Sequence, residues 1–139
     1  MEKMTSREKK KILIVDDEAM IRDMLNAVFT EGGYKVFIAE NAETALMILG
    51  AENIMVMFLD LSLPGVNGIE LCKKIRKENQ IGILYAFTGY SNIFGLLECR
   101  AAGFDDFFEK PTDVKILLKA AQDAFEKLER WKASELDLA

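Results

Sequence analysis

Two apolar runs in this sequence each end abruptly in aspartate. The run KILIV at 11–15 is followed by Asp16 and Asp17, and the run at 54–59 is followed by Asp60. Short apolar runs rich in β-branched residues are typical of strands buried on both faces. If the two strands are neighbours in a parallel sheet, the three carboxylates converge at one edge and need a cation between them. Ligands that are all oxygen atoms favour a hard ion, Mg²⁺ or else Mn²⁺.

A hydroxyl and an ammonium group occupy the equivalent places after two further apolar runs. Thr88 follows the run Ile81–Phe87, and Lys110 comes shortly after Phe107 and Phe108. Both side chains are groups that bind phosphate oxygens. A carboxylate nucleophile, a divalent metal, a hydroxyl and a lysine together suit phosphoryl transfer, in which catalysis is mainly positioning and charge neutralisation.

Each of these residues also has a simpler interpretation when it is taken alone. Asp16, Asp17 and Glu18 could be capping acids that favour the dipole at the start of a helix. Thr88 could be an ordinary turn residue, and Lys110 an ordinary solvated lysine. The metal-site hypothesis depends on the acids lying at equivalent ends of two strands, which helix capping does not explain.

Ten alternating elements are predicted to position these residues. Strands are predicted over Lys11–Val15, Tyr34–Ala39, Ile54–Leu59, Ile81–Phe87 and Phe107–Phe108. Helices are predicted over Ala19–Glu31, from an Asn41 cap to Leu49 with Gly50 ending it, over Ile69–Lys77, over Ile93–Ala102 with Gly103 ending it, and from about Thr112 onward. Strict alternation of strand and helix predicts an α/β fold with a parallel sheet and helices on both faces. Ligands of such folds bind at the carboxyl ends of the strands.

The composition fits one globular domain and excludes several kinds of site. The chain has 139 residues, of which 50% are apolar and 29% charged, as in ordinary globular domains. It has no histidine and only two cysteines, Cys72 and Cys99, so His-ligated metals, Ser-His-Asp triads and a disulfide scaffold are excluded, and a reducing cytoplasm fits. The net charge of −5 argues against nucleic-acid binding. The longest charge-free run, 79–97, is too interrupted by polar residues to predict a membrane span.

With these motifs in this order, the sequence resembles the receiver domain of two-component response regulators, in particular the single-domain regulators of chemotaxis. The motifs are the acidic pair after the first strand, Asp60-x-x-x-Pro64-x-x-x-Gly68 after the third, Thr88-Gly89 after the fourth and Lys110-Pro111 after the fifth. Each motif alone is weak, and the four together are highly specific. The resemblance implies a flavodoxin-like (βα)5 doubly wound sheet with strand order 2-1-3-4-5. It covers 11–127, leaving an N-terminal tail at 1–10 and a C-terminal helix extension at 128–139.

The resemblance also implies the chemistry of the site. Asp60 would accept a phosphoryl group from a partner's phosphohistidine, and Lys110 would contact the phosphoryl oxygens. Asp17, Asp60 and the backbone carbonyl of Ser62 would coordinate Mg²⁺, with Asp16 acting mostly through water.

Further residues would control the switch and the lifetime of the phosphoryl group. Thr88 would turn its hydroxyl to the phosphoryl group, and Phe107 would be the switch aromatic that changes rotamer. Ser62 and Tyr90 occupy the two positions that tune hydrolysis in the family, and the bulky Tyr90 predicts slow hydrolysis. Pro111 would follow a cis peptide bond.

The sequence therefore predicts a cytoplasmic phosphoacceptor and not an enzyme, because it would catalyse only its own phosphorylation and dephosphorylation. Its partners would be a sensor histidine kinase or histidine phosphotransfer protein, and a downstream target or an output domain, with no direct contact to nucleic acid or membrane. An aspartyl phosphohydrolase is one alternative, although such enzymes usually carry a second Asp where this chain has Ser62. A binding module independent of phosphorylation is another, and the complete acid–Thr–Lys set speaks against it.

The last helix adds a prediction about assembly. Its apolar stripe continues through Leu128 and Trp131, and an apolar stripe beyond the domain requires a partner surface. It predicts a homodimer through this helix or a link to an output domain. The alternative is that Trp131 folds back on its own domain or frays at the terminus.

Overall fold

The computed structural model describes residues 10–89 and 93–138, in five strands and five helices. The strands are β1 (Lys11–Val15), β2 (Lys35–Ala39), β3 (Val56–Leu59), β4 (Ile83–Thr88) and β5 (Asp106–Glu109). The helices are α1 (Ala19–Glu31), α2 (Ala42–Ala51), α3 (Gly68–Glu78), α4 (Ile93–Ala102) and α5 (Val114–Leu138). Of the predicted tail, residues 1–9 lie outside the described residues.

The five strands form one parallel sheet in the order β2-β1-β3-β4-β5. This arrangement confirms the predicted fold class and strand order. Successive residues of a strand point to opposite faces, so Leu13 and Val15 of β1 enter one core while Ile12 and Ile14 enter the other. Helices α2, α3 and α4 cover the first core, and α1 and α5 cover the second.

Several predicted boundaries differ from the structure by one or two residues, and three of these differences have a physical reason. The apolar runs extend past the paired strands: Ile54 is buried, yet β3 begins at Val56, and Ile81 is 52% exposed while β4 begins at Ile83. An apolar side chain favours burial, whereas a residue belongs to a strand only if its backbone pairs with that of a neighbouring strand. The second helix passes through Gly50 and ends at Ala51, so this glycine does not end it.

Both cysteines are buried free thiols. Cys72 packs in the core on α3 and Cys99 on α4. Burial raises the pKa of the Cys72 thiol to about 12 and that of Cys99 to about 11. Both are therefore protonated and act as small apolar side chains.

Among the described residues, no helix combines the length and the apolar character needed to cross a membrane.

A single side chain, Arg76 of α3, ties together the amino ends of β4 and β5. Its guanidinium donates to the carbonyls of Gly103 (2.6 and 2.9 Å) and Gly82 (2.7 Å) and pairs with the Asp105 carboxylate at 2.9 Å. Asp105 in turn accepts a hydrogen bond from the Leu84 N–H of β4. Gly103 has φ +116°, and a Cβ there would lie 2.9 Å from Arg76 Cγ. Arg76 therefore links the residues that directly precede both strands.

Replacing Arg76 by alanine should destabilise the protein by about 2–3 kcal/mol, because several charge-assisted hydrogen bonds are lost together. Arg76→Lys should recover little of this loss, since a lysine cannot reproduce the planar fork. Urea unfolding measures the difference, with Lys77→Ala on the exposed side of α3 as the control. Equal stability of the Arg76→Ala and Lys77→Ala proteins would contradict this role.

Candidate functional site

The site lies at the carboxyl edge of the sheet, where β1, β3 and β5 end. Asp16 follows β1 and Asp60 follows β3, and the pairing of Val15 with Leu59 places these aspartates side by side. The Asp60 N–H donates to the Val15 carbonyl at 2.8 Å, which extends the ladder by one step. The predicted convergence of carboxylates from two strands is therefore present in the fold.

Four carboxylates meet at this edge. Asp16, Asp17, Glu18 and Asp60 each place one carboxylate oxygen within 4.8 Å of the others. Asp16 and Asp60 are only 2% and 4% exposed, whereas Asp17 and Glu18 face solvent. A donor set of oxygens alone, at this density of negative charge, fits a hard divalent cation such as Mg²⁺.

The negative charge of the cluster is offset in part by one ammonium group, that of Lys110. Its Nζ lies 2.7 Å from Asp16 Oδ2, 3.0 Å from Glu18 Oε1 and 3.3 Å from Asp60 Oδ2. Burial alone would lower the pKa of Lys110, but the hydrogen bonds to Asp16 and Glu18 outweigh it and raise the pKa. The ammonium therefore stays charged at neutral pH. The pKa of Asp16 is raised chiefly by burial, with Lys110 and the Glu18 N–H opposing the rise and Asp60 adding to it.

A tight loop after β3 holds Asp60 in place. The Ser62 N–H donates to Asp60 Oδ1 at 3.1 Å, and the Gly68 N–H donates to the Leu61 carbonyl at 3.0 Å. At Gly68 a Cβ would lie 2.2 Å from the Asp60 carbonyl oxygen, so any other residue would push the backbone of Asp60 aside. The glycine eight residues after Asp60 is thus a requirement of close approach, not of unusual dihedral angles.

The predicted switch residues lie on β4 and β5. Thr88 is buried at the end of β4, and its carbonyl accepts from the Lys110 N–H at 2.8 Å. Phe107 is half-buried and packs against the core that α2, α3 and α4 cover. The peptide bond before Pro111 is cis. Tyr90 lies outside the described residues.

Glu18 is the residue whose role the sequence interpretation missed. It occupies the N-cap position of α1, yet within the described residues its side chain caps no backbone N–H of the helix. The side chain instead contacts Lys110, and the backbone N–H of Glu18 donates to Asp16 Oδ1 at 2.9 Å. The available signal was its place as the third acid of one run, although nothing local indicates where its side chain points.

Replacing Asp60 by asparagine should raise the melting temperature of the metal-free protein. Removing one member of a crowded set relieves about 1 kcal/mol of repulsion per pair after solvent screening, which corresponds to roughly 3–5 °C at this size. Millimolar Mg²⁺ should stabilise the parent more than this variant. Calorimetry with and without metal measures both effects.

The control for this experiment is Glu109→Gln, an exposed acid at the same edge of the sheet. It should leave the melting temperature and the Mg²⁺ effect unchanged. A lower melting temperature of the metal-free Asp60→Asn protein would show that the carboxylates do not repel one another as the geometry indicates.

Comparison with known proteins assigns the chain and its fold to a family. Residues 12–138 match the family described as the response regulator receiver domain. A receiver domain protein from Methanospirillum hungatei has the same fold, with a TM-score of 0.84 and 30% identity over 87% of this chain and 97% of that one. Sporulation initiation phosphotransferase F from Bacillus subtilis is 36% identical over 76% of this chain and 85% of its own length.

Other relatives are considerably longer than this chain. A cyclic di-GMP phosphodiesterase from Thermotoga maritima is 34% identical over 76% of this chain, and the match spans 28% of that protein. The chain covers 45% of the probable transcriptional regulator ycf27 from Porphyra purpurea, at 36% identity. The chain belongs to the response regulator receiver domain family of two-component signalling proteins.

Proposed function

We propose that this chain is a phosphoacceptor in which Asp60 takes a phosphoryl group from the phosphohistidine of a sensor histidine kinase or histidine phosphotransfer protein. The observation that carries the proposal is the placement of Lys110 Nζ within 3.3 Å of the buried Asp60 carboxylate, inside a cluster of four acids. An ammonium at this place neutralises the negative charge that a phosphoryl group brings. The generic kinase partner follows from membership of the family, and the identity of that partner is open to experiment.

In the proposed step a carboxylate oxygen of Asp60 forms a bond to phosphorus while the phosphorus–nitrogen bond of the phosphohistidine breaks. The electron pair of that bond goes to the imidazole nitrogen, which takes up a proton on the partner. Asp16, Asp17, Asp60 and the backbone carbonyl of Ser62 would hold Mg²⁺, which supplies charge neutralisation to the phosphoryl oxygens. Lys110 stabilises the same oxygens from the β5 side.

The proposal includes a switch and a control of lifetime. Thr88 would turn its hydroxyl toward the phosphoryl group, and Phe107 would change rotamer as the loop after β4 moves. Ser62 and Tyr90 would set how fast water removes the group. The output is a changed surface around Thr88 and Phe107. A downstream protein, or an output domain fused to the chain, would bind this changed surface. A cytoplasmic location fits a kinase partner of this kind and is part of the proposal.

The phosphoacceptor role is favoured over the two alternatives by particular residues. An aspartyl phosphohydrolase needs a general acid near the nucleophile, and the residue two positions after Asp60 is Ser62, whose backbone N–H holds the Asp60 carboxylate. A binding module independent of phosphorylation has no need for a partly buried lysine among four acids. The chain would therefore catalyse only its own phosphorylation and dephosphorylation.

Acetyl phosphate should add one phosphoryl group to the parent protein only when Mg²⁺ or Mn²⁺ is present, because the metal offsets charge on both reactants. Intact-protein mass spectrometry reads the added mass, and peptide mapping places it on Asp60. Asp60→Asn should remain unlabelled, while Asp106→Asn, an exposed acid on β5, should label like the parent.

The same proteins separate this proposal from its alternatives. Sustained turnover of p-nitrophenyl phosphate by the parent, and not by Asp60→Asn, would favour the phosphohydrolase. Equal labelling of the parent and Asp60→Asn, or no labelling of either in the presence of metal, would contradict the phosphoacceptor role.

We also propose that the part of α5 beyond Lys127 is an extension of the receiver domain at 11–127, and that it supports a homodimer. Leu117, Ala121 and Phe125 face the core, and Leu128 packs partly against the same core. Trp131 lies one turn further on the same stripe and is 44% exposed. Lys10 pairs with Glu129 at 3.3 Å, so α5 is still tied to the domain where the stripe leaves it.

A homodimer through this stripe should be weakened by Trp131→Glu, because a charge replaces the exposed apolar surface. Sedimentation velocity over a range of concentrations should show a larger fraction of monomer for the Trp131→Glu protein than for the parent. Met47→Glu, which makes the same kind of change at an exposed position on α2, is the control and should behave like the parent. An unchanged distribution for Trp131→Glu would remove this role from the stripe.

A further inference from the structure

We propose that Glu18 is a positioning residue: its carboxylate accepts the hydrogen bond from the solvent-facing proton of Lys110 until a phosphodonor displaces this carboxylate. The inference rests on the proposed phosphoacceptor function. It concerns an interaction between two distant parts of the sequence, since 92 positions separate Glu18 from Lys110. Its consequence is that Glu18 sets how readily the site accepts a phosphoryl group, while the chemistry of the transfer stays with Asp60.

The hydrogen-bonding capacity of Lys110 is fully used in this arrangement. An ammonium group has three protons to donate, and three carboxylates lie within 3.3 Å of Lys110 Nζ, those of Asp16, Glu18 and Asp60. A phosphoryl oxygen that binds this ammonium must therefore take the place of one of them. Which of these three contacts is released determines how Lys110 becomes available to the phosphoryl group.

Burial distinguishes the three partners of Lys110. The side chains of Asp16 and Asp60 are 2% and 4% exposed, whereas the side chain of Glu18 is 61% exposed. A phosphodonor arrives from solvent and meets the Glu18 side of the ammonium first. Releasing an exposed carboxylate into water costs little, because an exposed ion pair is worth only a fraction of a buried one. Glu18 is thus the partner that gives way.

The local structure shows that the Glu18 side chain is directed to this contact and not to capping. N-cap positions favour short side chains that bond to the helix backbone, and Glu18 stands at the N-cap of α1, where its side chain forms no such bond among the described residues. The backbone of Glu18 is held by its N–H on Asp16 and by its carbonyl, which accepts from the Ile21 and Arg22 N–H groups. The fixed backbone leaves the side chain free to reach Lys110 or to swing into solvent.

Two effects of Glu18 therefore oppose the phosphodonor. The carboxylate repels the negative phosphoryl group, and it holds the proton that the phosphoryl oxygen needs. Glutamine at this position removes the charge and retains the length. Aspartate retains the charge and is one methylene shorter, so it should lose the contact at 3.0 Å. The two variants separate the contact from the charge.

The experiment measures phosphorylation by acetyl phosphate and binding of fluoroberyllate, a phosphoryl mimic, at Mg²⁺ concentrations that saturate each variant. In the reaction Asp60 bonds to phosphorus as the bond from phosphorus to the acetate oxygen breaks, and acetate leaves with the electron pair, so no proton is exchanged. Glu18→Gln should lower the KM for acetyl phosphate and the Kd for fluoroberyllate roughly two- to fivefold, the range for a largely exposed ion pair. The rate at saturating donor should stay within about twofold, because the groups that act on the phosphoryl group are intact.

Glu18→Asp should lower the same constants, though by less than Glu18→Gln, since the contact is lost and the repulsion remains. Glu109→Gln removes an exposed charge at the same edge and should leave KM and Kd unchanged. If Glu18→Asp matches the parent while Glu18→Gln binds more tightly, charge alone accounts for the effect and the positioning role is overturned. Unchanged constants in both variants overturn it as well.

Two further outcomes bear on neighbouring interpretations. A tenfold or larger loss of Mg²⁺ affinity in Glu18→Gln, measured by calorimetric titration, would make Glu18 a metal ligand and overturn the inference. A parent protein that gains no phosphoryl group at Asp60 would overturn the proposed function and this inference together. A parent that is labelled, beside Glu18 variants that behave like it, would overturn the inference alone.

Discussion

The interaction on which this structure depends is that of one ammonium group with three carboxylates. Lys110 Nζ lies within 3.3 Å of Asp16, Glu18 and Asp60, and two of these acids are buried. Unpaired charges at such positions are costly, so the lysine must lie where it does for the carboxyl edge of the sheet to form. Even so, four acids exceed one base, and the cluster keeps negative charge that a metal ion can neutralise. The side chains of the site are therefore already in place before a metal ion or phosphoryl group binds, and the site keeps a net negative charge.

The rest of the fold serves to bring these charges together from distant parts of the chain. The pairing of β1 with β3 places Asp16 beside Asp60. Strand β4, which ends at Thr88, lies between β3, which precedes Asp60, and β5, which precedes Lys110. At the opposite edge Arg76 joins the starts of β4 and β5 through backbone carbonyls. There the guanidinium is paired with one carboxylate, that of Asp105, whereas four carboxylates surround one ammonium group at the carboxyl edge. The excess negative charge at the carboxyl edge favours the binding of a cation there.

The order of the elements and the strand ends that carry the site were predictable from the sequence, because both depend on local patterns. An apolar run that ends in an acid identifies a buried strand and the side chain beyond it, as at Val15 and Asp16 or Leu59 and Asp60. The starts of β3 and β4 were less predictable, because Ile54 and Ile81 have apolar side chains but no place in the paired ladder. Gly50 shows the same limit for helices. The cost of one glycine relative to alanine, about 1 kcal/mol, does not end a helix whose last backbone hydrogen bond, from the Glu52 N–H to the Ile48 carbonyl, still forms.

Glu18 shows why the rest of the site could not be predicted from sequence. A buried aspartate at the end of a strand has one direction available, because the sheet determines where its side chain points. An exposed glutamate at the start of a helix has several directions, and the choice among them depends on a lysine that follows β5 at the far end of the chain. The carboxyl edge therefore consists of a fixed part and an adjustable part. Asp16 and Asp60, which are buried, form the fixed part together with Lys110, which pairs with both. Asp17 and Glu18, which are exposed, form the adjustable part. A charged ligand that enters from solvent rearranges the exposed acids first, so burial determines the order in which the contacts of this site change.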